Sequence, residues 1–164
     1  MNDNDPSSGL SHVGASGEAR MVDVSPKDVT DRVARAQGAI RMQPSTLEAI
    51  RSNTVKKGDV LAVARVAGIL AGKRTSDLIP LCHPIPLTDL QLDLRPDESL
   101  PGIMAESTAR ATWKTGVEME ALTAVTVALL TIYDMAKSLD REMELTDISL
   151  VEKSGGKLGH WSRG

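Results

Sequence analysis

Asp134 and Lys137 stand three apart in YDMAKS, a spacing that sets a carboxylate beside an ammonium on one face of a helix. Such a pair is either a base and an acid that tune each other or an ordinary surface ion pair. Tyr133, Met135 and Ala136 flank it in an otherwise apolar run, which favours a half-buried, functional pair. Cys82–His83 lies in LIPLCHPIP (78–86), where Pro80, Pro84 and Pro86 forbid regular structure. A metal site needs three or four ligands. The other histidines, His12 and His160, sit in the end segments and no second cysteine exists, so no metal is expected. A catalytic Cys–His dyad draws its members from separate parts of a chain, so adjacency argues against one. That leaves a buried Cys beside a hydrogen-bonded His, or a stiff loop holding His83 against a ligand.

Lysines beside tight turns form a third group. Lys56–Lys57 precede Gly58–Asp59, Lys73–Arg74 follow an apolar run, and Lys153 and Lys157 flank Ser154–Gly155–Gly156. SGGK is not a P-loop, because GxxxxGK[ST] is absent. Together these lysines suit a polyphosphate ligand. Glu118 follows Thr115 at capping-box spacing, so it has a structural duty to weigh against a binding one. Glu120 has no such duty and is the better binding candidate; Met119 between them reads as core.

The element that positions most of these groups is a helix over 115–140. Leu122, Val125, Leu129, Ile132, Met135 and Leu139 recur at steps of three and four, the period of one buried face. Glu120 and Asp134, fourteen residues apart, point within about 40° of each other but lie about 21 Å apart along the axis. Two polar clusters on one side of an apolar helix therefore need an explanation.

Around it, MVDVS (21–25) reads as a short edge strand, and 27–37 as polar with no decisive period. AIRMQ (39–43) alternates as a strand. Pro44 opens a short helix at 45–52. Asp59 caps a buried helix over 60–73. Leu90, Leu92 and Leu94 alternate in a strand at 87–95. Residues 103–113 form another strand, whose small inward residues leave room for something bulky. A last strand covers 143–153, and the glycine-rich tail is loop. The order β-α-β-β-α-β predicts an α+β, ferredoxin-like fold, an antiparallel sheet with helices on one face. A homo-oligomer is expected to cover the other face, on the strength of Leu90, Leu92 and Leu94 and an inventory rich in Ala and Leu.

The 164 residues fit one domain: a flexible lead-in at 1–18, a catalytic domain at 19–158 and a flexible tail at 159–164. A formal net charge of -3 and a near absence of aromatics (two Trp, one Tyr) argue against nucleic-acid and membrane partners. One cysteine, no leader and no stretch of transmembrane length give a cytoplasmic expectation.

LIPLCHPI, KTGVEMEALTAVTVALLTIYDMAKS and KSGGK, in this order and spacing, resemble the cyclic pyranopterin monophosphate synthase family of molybdenum cofactor biosynthesis. The likeness runs from about 14 to 157; Trp113, Ala136 and Leu158 depart from the family's usual residues. The resemblance implies a substrate of 3′,8-cyclo-7,8-dihydroguanosine triphosphate, with cyclic pyranopterin monophosphate and diphosphate as products. It implies a lyase without cofactor, assembled as a trimer of dimers with sites at the dimer interface. On the matching motifs, Leu81, Cys82, His83, Met119 and Glu120 bind substrate, Asp134 is catalytic, and Lys57 and Lys137 assist. Glu118, Lys153 and Lys157 are expected beside the substrate. The competing expectation is a non-catalytic nucleotide-sensing module, which needs the binding groups but no acid–base pair.

Overall fold

The computed structural model describes residues 18–157 and 159–164. Most of the lead-in, His12 and Leu158 therefore lie outside the described residues. The elements run β1 (Thr30–Arg41), α1 (Pro44–Arg51), α2 (Val60–Gly72), α3 (Thr75–Leu78), β2 (Asp89–Asp97), β3 (Gly102–Trp113), α4 (Glu118–Ala136), β4 (Glu144–Ser154) and β5 (Trp161–Ser162). The sheet order is β2-β3-β1-β4-β5, antiparallel throughout. Without β5, that is the ferredoxin-like arrangement of a βαββαβ chain.

Small residues let the helices approach the sheet closely. Ala34, Ala36, Ala105, Ala109 and Ala111 face inward and are buried, and α4 answers with Ala121, Ala124 and Ala128. The buried Ser107 hydroxyl donates to the Ala121 carbonyl at 2.8 Å. The bulky neighbour that those small residues make room for is thus α4 itself. Gly68 and Gly72 bring α2 equally close: a Cβ on Gly68 would sit 2.6 Å from the Ala124 carbonyl oxygen and 2.5 Å from Leu92 Cδ2.

Several expectations change. One long strand, β1, replaces the polar stretch and the short strand at 39–43, because its inward row is Ala34, Ala36 and Ile40, small enough to hide the alternation. Residues 21–25 form no strand; their groups go to local turns and to side chains instead. The tail read as loop carries β5, which pairs Trp161 with Lys153. α4 is shorter than 115–140. It starts after Val117 with no side-chain cap, and turns out of the helix after Lys137, where Asp140 accepts from the backbone N–H of Gln43 and Glu142.

Leu92 and Leu94 are buried, and Leu90 and Leu92 lie within reach of α2, so they leave no apolar face to be covered. The opposite sheet face is polar, with Arg35–Glu152 at 3.2 Å, Arg95–Glu106 at 3.5 Å and Thr112 donating to Asp31. The sheet leucines therefore give no argument for an oligomer. α4 does reach transmembrane length by its 19 residues and apolar content, contrary to expectation. Nine of them are buried against the sheet and its neighbours, which is what makes a core helix apolar.

Candidate functional site

At the N-terminal end of α4 the 79–85 loop and the 115–120 segment enclose a cavity of about 430 Å³. Leu81, Cys82, His83, Glu118, Met119 and Glu120 line it together, so six expected binding residues converge there. Glu120 is only 4% exposed. Burial pushes its carboxyl up to about 7, its own backbone N–H opposes that, and the charge of Glu118 adds to it. The Cys82 thiol is raised by burial and by Glu120. A carboxyl titrating near neutrality can accept or donate to the edge of a heterocycle. His83 Nε2 lies 2.8 Å from the Val22 carbonyl; the N–H there donates and fixes the ring. So His83 is hydrogen-bonded, as the plainer expectation had it, and it also lines a cavity.

A second cavity of about 480 Å³ adjoins the first and shares Thr115, Gly116 and Glu118 with it. Its wall carries Lys27, Arg32, Lys114, Lys153 and Lys157 against Asp28 and Glu118. Glu118 does not close a capping box; it accepts from Lys153 Nζ at 3.0 Å. The SGGK turn packs on the start of β1, and its glycines are required there. Gly155 and Gly156 have φ of +100° and +73°, and a Cβ on either would land 2.0 Å from the Asp31 carbonyl oxygen or from Arg32 Nη1. Arg32 is held by the carbonyls of Trp113 and Lys114 at 3.2 and 3.3 Å. Lys114 Nζ donates to the Ser25 carbonyl at 2.7 Å.

Lys27, Arg32 and Lys114 were missed from the sequence. The signal for Arg32 was an arginine on the same inward row as Ala34, Ala36 and Ile40. Lys114 directly precedes the Thr115–Gly116 turn. Nothing local marks Lys27. Lys73 and Arg74 lie at the end of α2, away from this trough.

The third cluster is at the other end of α4, beside a cavity of about 360 Å³. Lys137 Nζ donates to Asp134 Oδ1 at 2.7 Å; Lys57 Nζ donates to Oδ2 at 2.9 Å and to the Asp134 carbonyl at 2.8 Å. Lys57 thus turns away from the helix start it precedes, where Asp59 supplies its own cap to the Ala62 N–H. The expected half-burial is not found: the side chains of Asp134 and Lys137 are 57% and 53% exposed. The hydrogen bond from Lys137, then that from Lys57, holds the Asp134 carboxyl at about 2, and Asp134 in turn raises Lys137. The shift of a lysine toward neutrality that acid–base work would use is therefore reversed in the single chain. Fourteen residues of helix, about 21 Å, separate this trio from Glu120.

A family model described as the MoaC family matches residues 21–156. A relative from Dinoroseobacter shibae, named cyclic pyranopterin monophosphate synthase, is 61% identical over 94% of this chain and 98% of its own. Relatives of the same name from Brucella ovis and Brucella melitensis are each 56% identical over 93% of both chains.

Proposed function

The chain belongs to the MoaC family, and we propose that it acts as a cyclic pyranopterin monophosphate synthase in molybdenum cofactor biosynthesis. Its substrate in this reading is the cyclised dihydroguanosine triphosphate, and its products are cyclic pyranopterin monophosphate and diphosphate. One observation supports the reading above others: an apolar cavity with a buried carboxyl adjoins a cavity walled by five cations, the two sharing Thr115, Gly116 and Glu118. Rings and phosphates have complementary surroundings side by side.

In this reading His83, Glu120, Leu81, Cys82 and Met119 hold the guanine-derived rings. Lys153 and Lys157, joined by Lys27, Arg32 and Lys114, take the triphosphate and neutralise the charge that grows on departing diphosphate. Glu118 orients Lys153. Ring opening and pyrazine closure need repeated proton transfers, the task of Asp134, Lys137 and Lys57. A carboxyl held at about 2 is a weak base near neutrality, so those groups must lose water and their mutual pairing before they act.

A second copy supplies that change. Two chains related by a two-fold axis bring the Asp134 end of one α4 to the Glu120 end of the other, and each site then draws on both. Three such dimers make the assembly, with no resident metal or organic cofactor. The single cysteine, Cys82, is free, which suits the cytoplasm.

In the single chain Asp134 is exposed and held at about 2, so the competing reading is a non-catalytic nucleotide sensor, which needs the binding groups but no acid–base pair. Incubation with the cyclised nucleotide decides between the two. Diphosphate release with pterin formation is expected; binding without turnover supports the sensor.

A further inference from the structure

β5 and the residues beside it lie beyond the end of the family match at 156. We infer that this C-terminal arm is a positioning device for the basic cavity: by pairing with β4 it fixes the glycine turn that presents Lys153 and Lys157 to the diphosphate portion of the ligand. The inference rests on the reading of that cavity as the phosphate end of the site.

The arm is tied down at several points. Glu152 pairs with Ser162 and Lys153 with Trp161. The Arg163 N–H donates to the Val151 carbonyl at 2.8 Å, and its Nε donates to the Leu150 carbonyl at 3.0 Å. The turn between the strands is closed from both sides. Gly155 N–H donates to the Gly159 carbonyl at 3.1 Å, and Gly159 N–H donates to the Gly156 carbonyl at 3.2 Å. Gly155, Gly156 and Gly159 all have positive φ, so this closure uses backbone conformations that glycine supplies without strain.

Those bonds act directly on the residues that line the cavity. Lys153, Ser154, Gly155, Gly156 and Lys157 form one consecutive stretch of its wall; the rest comes from residues between 27 and 33 and from the 114–118 segment. Without the arm, β4 ends at Ser154 and three glycines follow within five residues, a chain with many conformations to lose on binding. Residues that present charge to a phosphate bind it more tightly when they are already ordered. Among the described residues, none of the arm lines the apolar cavity or the cavity beside the Asp134 trio, so its effect belongs to binding and not to proton transfer.

The test uses the full chain, a chain ending at His160, and Arg163→Ala and Arg163→Lys. Inorganic diphosphate is titrated by calorimetry, and KM and kcat are measured with the cyclised nucleotide. Thermal unfolding checks that the shortened chain is folded; β5 is a two-residue edge strand whose residues are exposed, so little stability is at stake. Removal of the arm is expected to raise both Kd for diphosphate and KM about tenfold, with kcat within about twofold, on the scale of one lost ordering contribution. Arg163→Ala gives a smaller rise, and Arg163→Lys, which can still donate to the Leu150 carbonyl, restores much of it. Equal Kd and KM in the full and shortened chains overturn the inference. So does a loss confined to kcat. If the intact chain itself fails to bind diphosphate, the assignment of the basic cavity falls, and this inference falls with it.

Discussion

Glu120 and Asp134 are two carboxylates of one helix with opposite fates. Glu120 is buried and titrates near 7, above its ordinary 4.5; Asp134 is open to solvent and held near 2 by two lysines. The sign of each follows from its surroundings. Below pH 4.5 Glu120 is protonated in both folded and unfolded chains. Between 4.5 and about 7 the unfolded chain releases the proton and the folded one keeps it, so Glu120 lowers stability as pH rises. The full cost is at most about 3 kcal/mol, reached above pH 7. Glu120→Gln should therefore gain stability relative to the parent between pH 4.5 and pH 8, measured by urea unfolding at both. A gap that does not change with pH would show that the carboxyl is not buried as described. Asp134→Asn and Lys137→Ala should each lower turnover about a hundredfold or more. Their folding should be unaffected, because an exposed ion pair contributes little. Near-native turnover in either variant would reduce the pair to a surface bridge.

At the scale of elements, α2 and α4 meet through glycine and alanine, and the site depends on that closeness. Gly68 has no room for a methyl group, since the Ala124 carbonyl oxygen and Leu92 already occupy it. Alanine in a helix interior gains about 1 kcal/mol of propensity over glycine. Overpacking against backbone costs about 1–3 kcal/mol and wins here. Gly68→Ala should thus lower the urea midpoint, against the trend for glycines in helices; a raised midpoint would mean that α2 can shift outward at no cost. The 78–86 loop works differently. Its prolines supply stiffness, but what seats His83 is the Val22 carbonyl from a segment far away in sequence.

For the whole molecule, the issue is the 21 Å or so of helix between the two ends of the proposed site. Shared sites make a quantitative forecast. His83→Ala and Lys137→Ala, each inactive alone, should complement when co-expressed. In a mixed dimer one site carries both changes and the other carries neither. With random pairing half of the dimers are mixed, so roughly a quarter of the sites are intact. Activity should recover to about that fraction, measured as diphosphate release by purified mixed oligomers. Mixed oligomers without activity would mean that each site is built from one chain.

The sequence by itself determined the α+β order, the period of the long helix, the proline-stiffened loop and the family. Each of these is written in residues near one another along the chain, where side-chain period and backbone restriction act. The residues of the apolar cavity were legible too, since Cys82–His83 and Met119–Glu120 each sit in one short motif. The tertiary structure decided what depended on distant neighbours. β1 was hidden because its inward row, with Arg32, Ala34, Ala36 and Gly38, carries no bulky apolar residue before Ile40; pairing with β3 and β4 defines it. Glu118 left its expected cap because Lys153, thirty-five residues away, offered a charged partner. The five-cation wall is assembled from the segment before β1, β1 itself, the 114–118 segment, the end of β4 and the turn after it, so no local pattern announces it. Burial separated Glu120 from Asp134 for the same reason: the 79–85 loop covers one end of α4, while at the other end the Asp134 side chain meets Lys57 and Lys137 and stays 57% exposed.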